Sequence, residues 1–142
     1  MSENKVSLEF DVDGENFASA GTATESVRHT LKQLGLASEL IRKVAISMYE
    51  GEINMVIHAD GGKANVEIDQ DKVVVVLEDK GPGIVDIELA MQEGYSTAPD
   101  NIRSLGFGAG MGLSNMKKYS DEMDIKSKVG EGTTVKMIIN LK

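Results

Sequence analysis

The sequence contains no cysteine and no tryptophan, and only two prolines. Without cysteine, neither a disulfide framework nor a thiolate metal site can form. No Pro-rich linker, internal repeat or low-complexity tract divides the 142 residues. Length and composition therefore predict one domain, residues 1–142, large enough to bury a core without staples. Aromatic residues make up 4% of the chain, and the formal net charge is −8. That composition argues against nucleic acid as a partner, because phosphate neutralisation needs clustered Lys and Arg, and base stacking needs rings. No apolar run is long enough for a membrane span. The first residues also lack the basic-then-apolar pattern of a signal peptide. The expectation is a cytoplasmic protein with no membrane partner.

Hydrophobic periodicity organises the remainder. Residues 6–12 alternate and predict a strand, and Thr24 is placed to cap a helix running to Leu34 and ended by Gly35. A second helix is predicted over residues 38–59, closed by Asp60, Gly61 and Gly62. Residues 63–69 alternate as a strand. Residues 72–79 form a continuous apolar run, read as a central strand buried on both faces, with Gln70 and Asp71 linking the two as a hairpin. A short helix is predicted over residues 86–92 and a helix over 112–120. Two alternating strands joined by Gly130, Glu131 and Gly132 complete the chain. The expected fold is an α/β (α+β) two-layer sandwich, a mostly antiparallel sheet with helices on one face.

On the second helix, Lys43, Ser47, Glu50, Asn54 and His58 are spaced four, three, four and four apart, which places them in one stripe. One reading is the wet face of an amphipathic helix. The other is a face lining a pocket, where a carboxylate and an amide one turn apart position a hydroxyl and a Mg²⁺. His58 at the helix end suits the dipole. Glu52 lies off the stripe and receives no chemistry.

The glycine-rich segments follow. Asp79-x-Gly81-x-Gly83 leaves a strand, and reads either as a tight turn or as a carboxylate accepting from the adenine amine beside exposed backbone. Gly106, Gly108, Gly110 and Gly112 alternate just before a helix. Four such glycines are entropically costly; the run reads either as a flexible hinge or as an anion site made by its N–H groups with the helix N-terminus. No Gly-Lys-Ser/Thr follows, so this is not a P-loop. It is not a dinucleotide fingerprint either, since position 113 is leucine. Residues 93–112 read as a lid over phosphates, with Arg103 its guanidinium. The Gly130-to-Thr134 segment reads most simply as a hairpin turn, in which Thr133 or Thr134 is placed to add a hydroxyl at the adenine edge.

In this order, the segments resemble the GHKL (Bergerat) ATP-binding fold shared by gyrase, histidine kinases, a heat-shock chaperone and mismatch-repair ATPases. Glu50 and Asn54 match its N box. Asp79, Gly81 and Gly83 match its first glycine box. Gly108, Gly110, Gly112 and Leu113 match the second, and Gly130, Gly132 and Thr133 the last. The chain is most similar to the small serine/threonine kinases of bacterial anti-sigma-factor and stress-switch systems. That resemblance implies ATP and Mg²⁺ as cofactors. The nucleotide would be held by Asn54, Asp79, Gly81, Gly83, Gly106, Gly108, Gly110, Met111, Gly112, Leu113 and Thr133. Asn54 would be the Mg²⁺ ligand and Glu50 the catalytic base. The lead Ser47-Met-Tyr-Glu50 departs from the usual Ser-Glu, and Glu50 is the carboxylate with the right spacing to Asn54. The implied partner is an anti-sigma-factor antagonist-type protein, with a sigma factor and a second copy of the chain as further candidates. The alternative is a non-catalytic, nucleotide-gated anti-sigma factor.

Overall fold

The computed structural model describes residues 5–13, 21–58, 61–79, 112–128 and 130–141. Within them lie strand β1 (Val6–Asp13), helices α1 (Thr22–Gln33) and α2 (Ser38–His58), and strands β2 (Gly61–Ile68) and β3 (Lys72–Asp79). Helix α3 (Gly112–Tyr119) and strands β4 (Glu122–Lys128) and β5 (Gly132–Asn140) follow. The strands form one five-stranded sheet in the order β1-β2-β3-β5-β4, with every neighbouring pair antiparallel. The expected two-layer architecture is the observed one.

Strand alternation sends one set of side chains toward the helices. Ala64, Val66, Ile68, Val73, Val75, Leu77, Val135, Met137 and Ile139 are all buried there. They pack with Val27 and Leu31 of α1, Val44, Met48 and Met55 of α2, and Met116 of α3. Each of the larger apolar side chains among them contributes about 1.5–3 kcal/mol by leaving water. β3 is central, as expected, but it is fully buried on one face only. Val74 and Val76 point to the opposite side and are half-buried, because the three described helices cover the same face.

Local chemistry explains several boundaries. Gly35, with φ of 80°, ends α1. Its N–H bonds the Lys32 carbonyl, and Leu36 N–H reaches the Leu31 carbonyl at 3.2 Å, a Schellman closure. The β2–β3 hairpin is closed by Asp69, whose Oδ1 accepts from the N–H groups of Asp71 and Lys72 at 2.7 and 2.9 Å. These two bonds hold its carboxyl below the usual carboxylate range. Two expectations are corrected. Gly61 and Gly62 do not merely close α2; they open β2. A Cβ on Gly62 would lie 2.2 Å from the Glu78 carbonyl oxygen and 2.9 Å from Asp79 Cα, so a bare backbone is required there. Thr24 is likewise not the N-cap of α1. Gly21 occupies that position with no side-chain cap of its own.

Candidate active site

The cap of α1 comes from α2. Glu52, only 2% exposed, accepts from the N–H groups of Gly21, Ala23 and Thr24 at 2.9, 3.2 and 3.0 Å, and from the Thr24 hydroxyl at 2.7 Å. These are orphan donors of a helix N-terminus, where a negative charge is also favoured by the dipole. A signal for this was present in the sequence. Glu52 lies among apolar positions of a buried helix, and a buried carboxylate must find donors.

Asp79 ends β3 on the helix-covered side of the sheet. Its Oδ1 accepts from Thr133 N–H at 3.1 Å. Thr133 is buried, and its hydroxyl lies 2.9 Å from that of Ser127. A depression of 340 Å³ opens here, lined by Asp79, Ser127, Gly132, Thr133 and Thr134 among others. The last glycine turn is thus brought against the aspartate that leads the first glycine segment, 54 residues away. Ser127 had no sequence-based role.

The polar stripe of α2 is placed differently along its length. Lys43 pairs with Asp121 at 3.3 Å. Ser47 is buried and donates back to the Lys43 carbonyl at 2.8 Å. Glu50 is half-buried, with the side chain of Asn115 on α3 beside it. This part of the stripe therefore faces other elements and is not a wet face. Burial pushes the Glu50 carboxyl above the ordinary carboxylate range, and the Asn115 bond offsets part of that rise. Burial, then the charges of Glu50 and Glu52, also push the neighbouring Tyr49 phenol up. Sequence reading missed Asn115, because nothing local in the chain links positions 50 and 115.

Gly51 sets how close these elements come. A Cβ there would lie 2.0 Å from Leu77 Cδ1 and 3.1 Å from Met116 Sδ. α2 therefore rests on β3 two residues before Asp79, with α3 alongside. Further along, Met55 packs over Gly62, which pairs with Asp79. Glu50 is in this way carried to the Asp79 end of the sheet.

Asn54 lies in α2, and Gly112 and Leu113 open α3. The predicted Gly81, Gly83, Gly106, Gly108, Gly110 and Met111 lie outside the described residues. So do the helix expected over residues 86–92, Arg103, and all of the expected lid except Gly112. Among the described residues, no three His, Asp or Glu side chains are grouped to hold a metal. The amide oxygen of an asparagine, the donor expected of Asn54, is of the kind that suits Mg²⁺, an ion that takes most of its oxygens from phosphate and water. A larger open hollow of 790 Å³ runs along α1 beside Tyr49 and contains none of the predicted site residues.

Comparison with known proteins places this arrangement. Residues 15–139 match the family described as histidine kinase-like ATPase domain. The chain belongs to that family. Its relatives include the anti-sigma F factor of Pasteuria penetrans, 34% identical with all of this chain and 94% of the relative covered. The anti-sigma F factor of Clostridium beijerinckii is 36% identical, with 95% and 93% covered. The serine/threonine-protein kinase RsbT of Bacillus subtilis is 31% identical, with 94% and 92% covered. The solved RsbU and RsbW domains of a Mycobacterium tuberculosis protein superpose with a TM-score of 0.65 at 17% identity. That match covers 96% of this chain and 32% of the other, so this chain spans about a third of that protein. These likenesses bear out the GHKL-type fold and the anti-sigma-factor and stress-switch branch. Among the described residues, no helix is long and apolar enough to cross a membrane.

Proposed function

We propose that this protein is a Mg·ATP-dependent serine/threonine kinase that regulates a sigma-factor or stress-switch pathway by phosphorylating an antagonist-type partner in the cytoplasm. The observation that carries this reading is Glu50. It is a half-buried carboxylate with a raised pKa, carried to the end of the sheet where Asp79 and Thr133 meet. A base poised above the ordinary carboxylate range is suited to proton transfer near neutral pH. Names among the relatives, anti-sigma F factor and RsbT kinase, support the pathway class.

Asp79 would accept from the adenine amine, with Thr133 completing that edge. The N–H groups of the segment ending at Gly112 would bind the phosphates. Asn54 would hold Mg²⁺, whose charge offsets that of the phosphates when it is bound. Glu50 accepts the proton of the partner's serine or threonine hydroxyl as that oxygen bonds the γ-phosphorus. The bond from γ-phosphorus to the bridging oxygen breaks, and ADP leaves with the electron pair. The anti-sigma F names also favour a second reading, a nucleotide-gated binder that transfers nothing. Incubation with labelled ATP and a candidate antagonist separates the two. Wild type is expected to label the partner, and Glu50→Gln to do so about 10²–10⁴-fold more slowly with near-normal ATP binding. Absence of transfer to every antagonist-type partner, with ATP bound, would leave the binder reading.

A further inference from the structure

We propose that Ser127 is a positioning residue for base selection. It holds the Thr133 hydroxyl so that this oxygen offers only lone pairs to the depression, and so favours a base that carries an amine there. The proposal deepens the ATP-site reading and rests on it for the identity of the ligand.

Register brings the pair together. Ser127 of β4 stands directly opposite Thr133 of β5, so both side chains leave the sheet on the same face. Their hydroxyl oxygens lie 2.9 Å apart, a contact in which either could donate. A second contact decides the direction. The Ser127 hydroxyl donates to the Gly132 carbonyl oxygen at 3.2 Å. A carbonyl can only accept, and a serine hydroxyl has one proton. Both contacts are therefore satisfied in one way. Ser127 donates to Gly132 and accepts from Thr133. The Thr133 proton is committed to Ser127, and its oxygen has lone pairs but no donor left for a ligand.

Asp79 completes the pattern. Its Oδ1 is fixed by the Thr133 N–H at 3.1 Å, and an ionised carboxylate is acceptor-only. Asp79, Ser127 and Thr133 line the same depression. Two residues of that wall thus present acceptors. Adenine carries an amine, with two N–H donors, where hypoxanthine and guanine carry a carbonyl oxygen. An amine satisfies such a wall. A carbonyl oxygen turned to it meets only lone pairs and loses its hydrogen bonds to water, the kind of mismatch that a polar site rejects strongly. Thr133 is only 8% exposed, so little water reaches it to supply the missing donor. Without Ser127 the Thr133 hydroxyl can rotate and donate to that carbonyl oxygen, and the wall becomes tolerant.

Calorimetry of ATP and ITP binding to the full chain, each with Mg²⁺, tests this. The two nucleotides share ribose and triphosphate, and ITP has the carbonyl oxygen where ATP has the amine. Wild type is expected to prefer ATP. Ser127→Ala should lower that preference about fivefold, chiefly by tightening ITP. Ser127→Thr keeps the hydroxyl, suits a strand, and should retain the wild-type preference. Thr133→Val removes the hydroxyl at nearly constant shape, and adding Ser127→Ala to it should leave the ratio of affinities where Thr133→Val put it. The ratio is the decisive quantity, because a loosened strand or a misshapen depression weakens both nucleotides together. A wild type that binds ATP and ITP alike, or a Ser127→Ala protein with the wild-type ratio, overturns the positioning role while the nucleotide reading of the site stands. A fivefold fall that persists in the Thr133→Val background also overturns it, since Ser127 would then act by another route. If wild type binds neither nucleotide, the ATP reading fails and the proposal falls with it.

Discussion

Glu50 and Glu52 are two residues apart on one helix, yet the fold treats them in opposite ways. Two positions on an α-helix are turned by about 200°, so the side chains leave on nearly opposite faces. Glu52 meets the start of α1 and is saturated by three N–H groups and a hydroxyl. Glu50 meets α3 and is partly desolvated, with the Asn115 amide lowering the pKa that burial raises. A carboxylate whose oxygens are taken up by fixed donors serves as an anchor. One that is desolvated with fewer donors holds its charge less firmly and suits proton chemistry. Residue type alone does not separate the two roles; the count and origin of donors do.

The comparison is broken most directly by removing the anchor. Glu52→Ala leaves the first-turn donors of α1 buried without an acceptor. It is expected to cost about 3–5 kcal/mol of stability. Glu50→Ala, at a half-exposed position with an amide neighbour able to turn to water, should cost far less. Urea unfolding of both variants decides it. Equal midpoints would mean that Glu52 is no more structural than Glu50.

Between the two carboxylates lies Gly51, and its replacement moves the platform on which both stand. An Ala Cβ would meet Leu77 Cδ1 at 2.0 Å, so α2 or the β3 side chain must shift. Overpacking of this kind costs about 3 kcal/mol at the upper end. The expected result is a lower thermal midpoint together with slower phosphotransfer per folded molecule, since α3 and its amide are displaced too. A Gly51→Ala protein with wild-type stability would show that the helix can yield locally.

Much of this was legible in the chain. Alternation gave four of the strands and a continuous apolar run the fifth, while cap and glycine signals with apolar patterning gave α1, α2 and α3 to within a few residues. Gly35 marked a helix end because a positive φ is needed there. The Asp79–Thr133 meeting was anticipated from the order of the glycine segments. What escaped was long-range pairing. Glu52 with the start of α1 and Glu50 with Asn115 are joined by helix packing, which leaves no periodic trace. The burial of β3 on both faces was over-read, because a run of valines looks the same whether one or both faces are covered. The doublet Gly61-Gly62 looked like a helix stop, while the close approach of Glu78 and Asp79 that requires it is visible only in the sheet register.

A third carboxylate sharpens the rule. Asp79 has Thr133 N–H as a fixed donor at 3.1 Å and sits at the mouth of a depression. A carboxylate held in place beside an open depression suits an acceptor for a ligand. Asp79→Asn replaces an acceptor-only group with one that can present a donor to the adenine amine. A loss of about 2 kcal/mol, roughly thirtyfold in Kd for ATP, is expected by calorimetry. Unchanged affinity in a folded variant would remove Asp79 from the adenine role.

The smallest effect carries the most information, because its sign differs between the two glutamates. Burial raises the Glu50 carboxyl above its unfolded value, with the Asn115 bond opposing. Between the unfolded and folded values the native state binds more protons than the unfolded state, so stability falls as pH rises through that window. Above it the ionised, partly desolvated Glu50 is a net cost to the fold. Glu50→Gln removes that cost and should make the protein slightly more stable than wild type near pH 7. The gain should fade at about pH 3.5, where Glu50 is neutral in both states. Water reaches the half-exposed side chain, so the effect is small. Glu52→Gln must go the other way at neutral pH, since an amide offers one acceptor oxygen where a carboxylate offers two to the four donors. Urea midpoints of the two variants at both pH values test the pair together. A Glu50→Gln protein less stable than wild type at neutral pH would show that its hydrogen bonding outweighs its desolvation, and the distinction between base and anchor would fall.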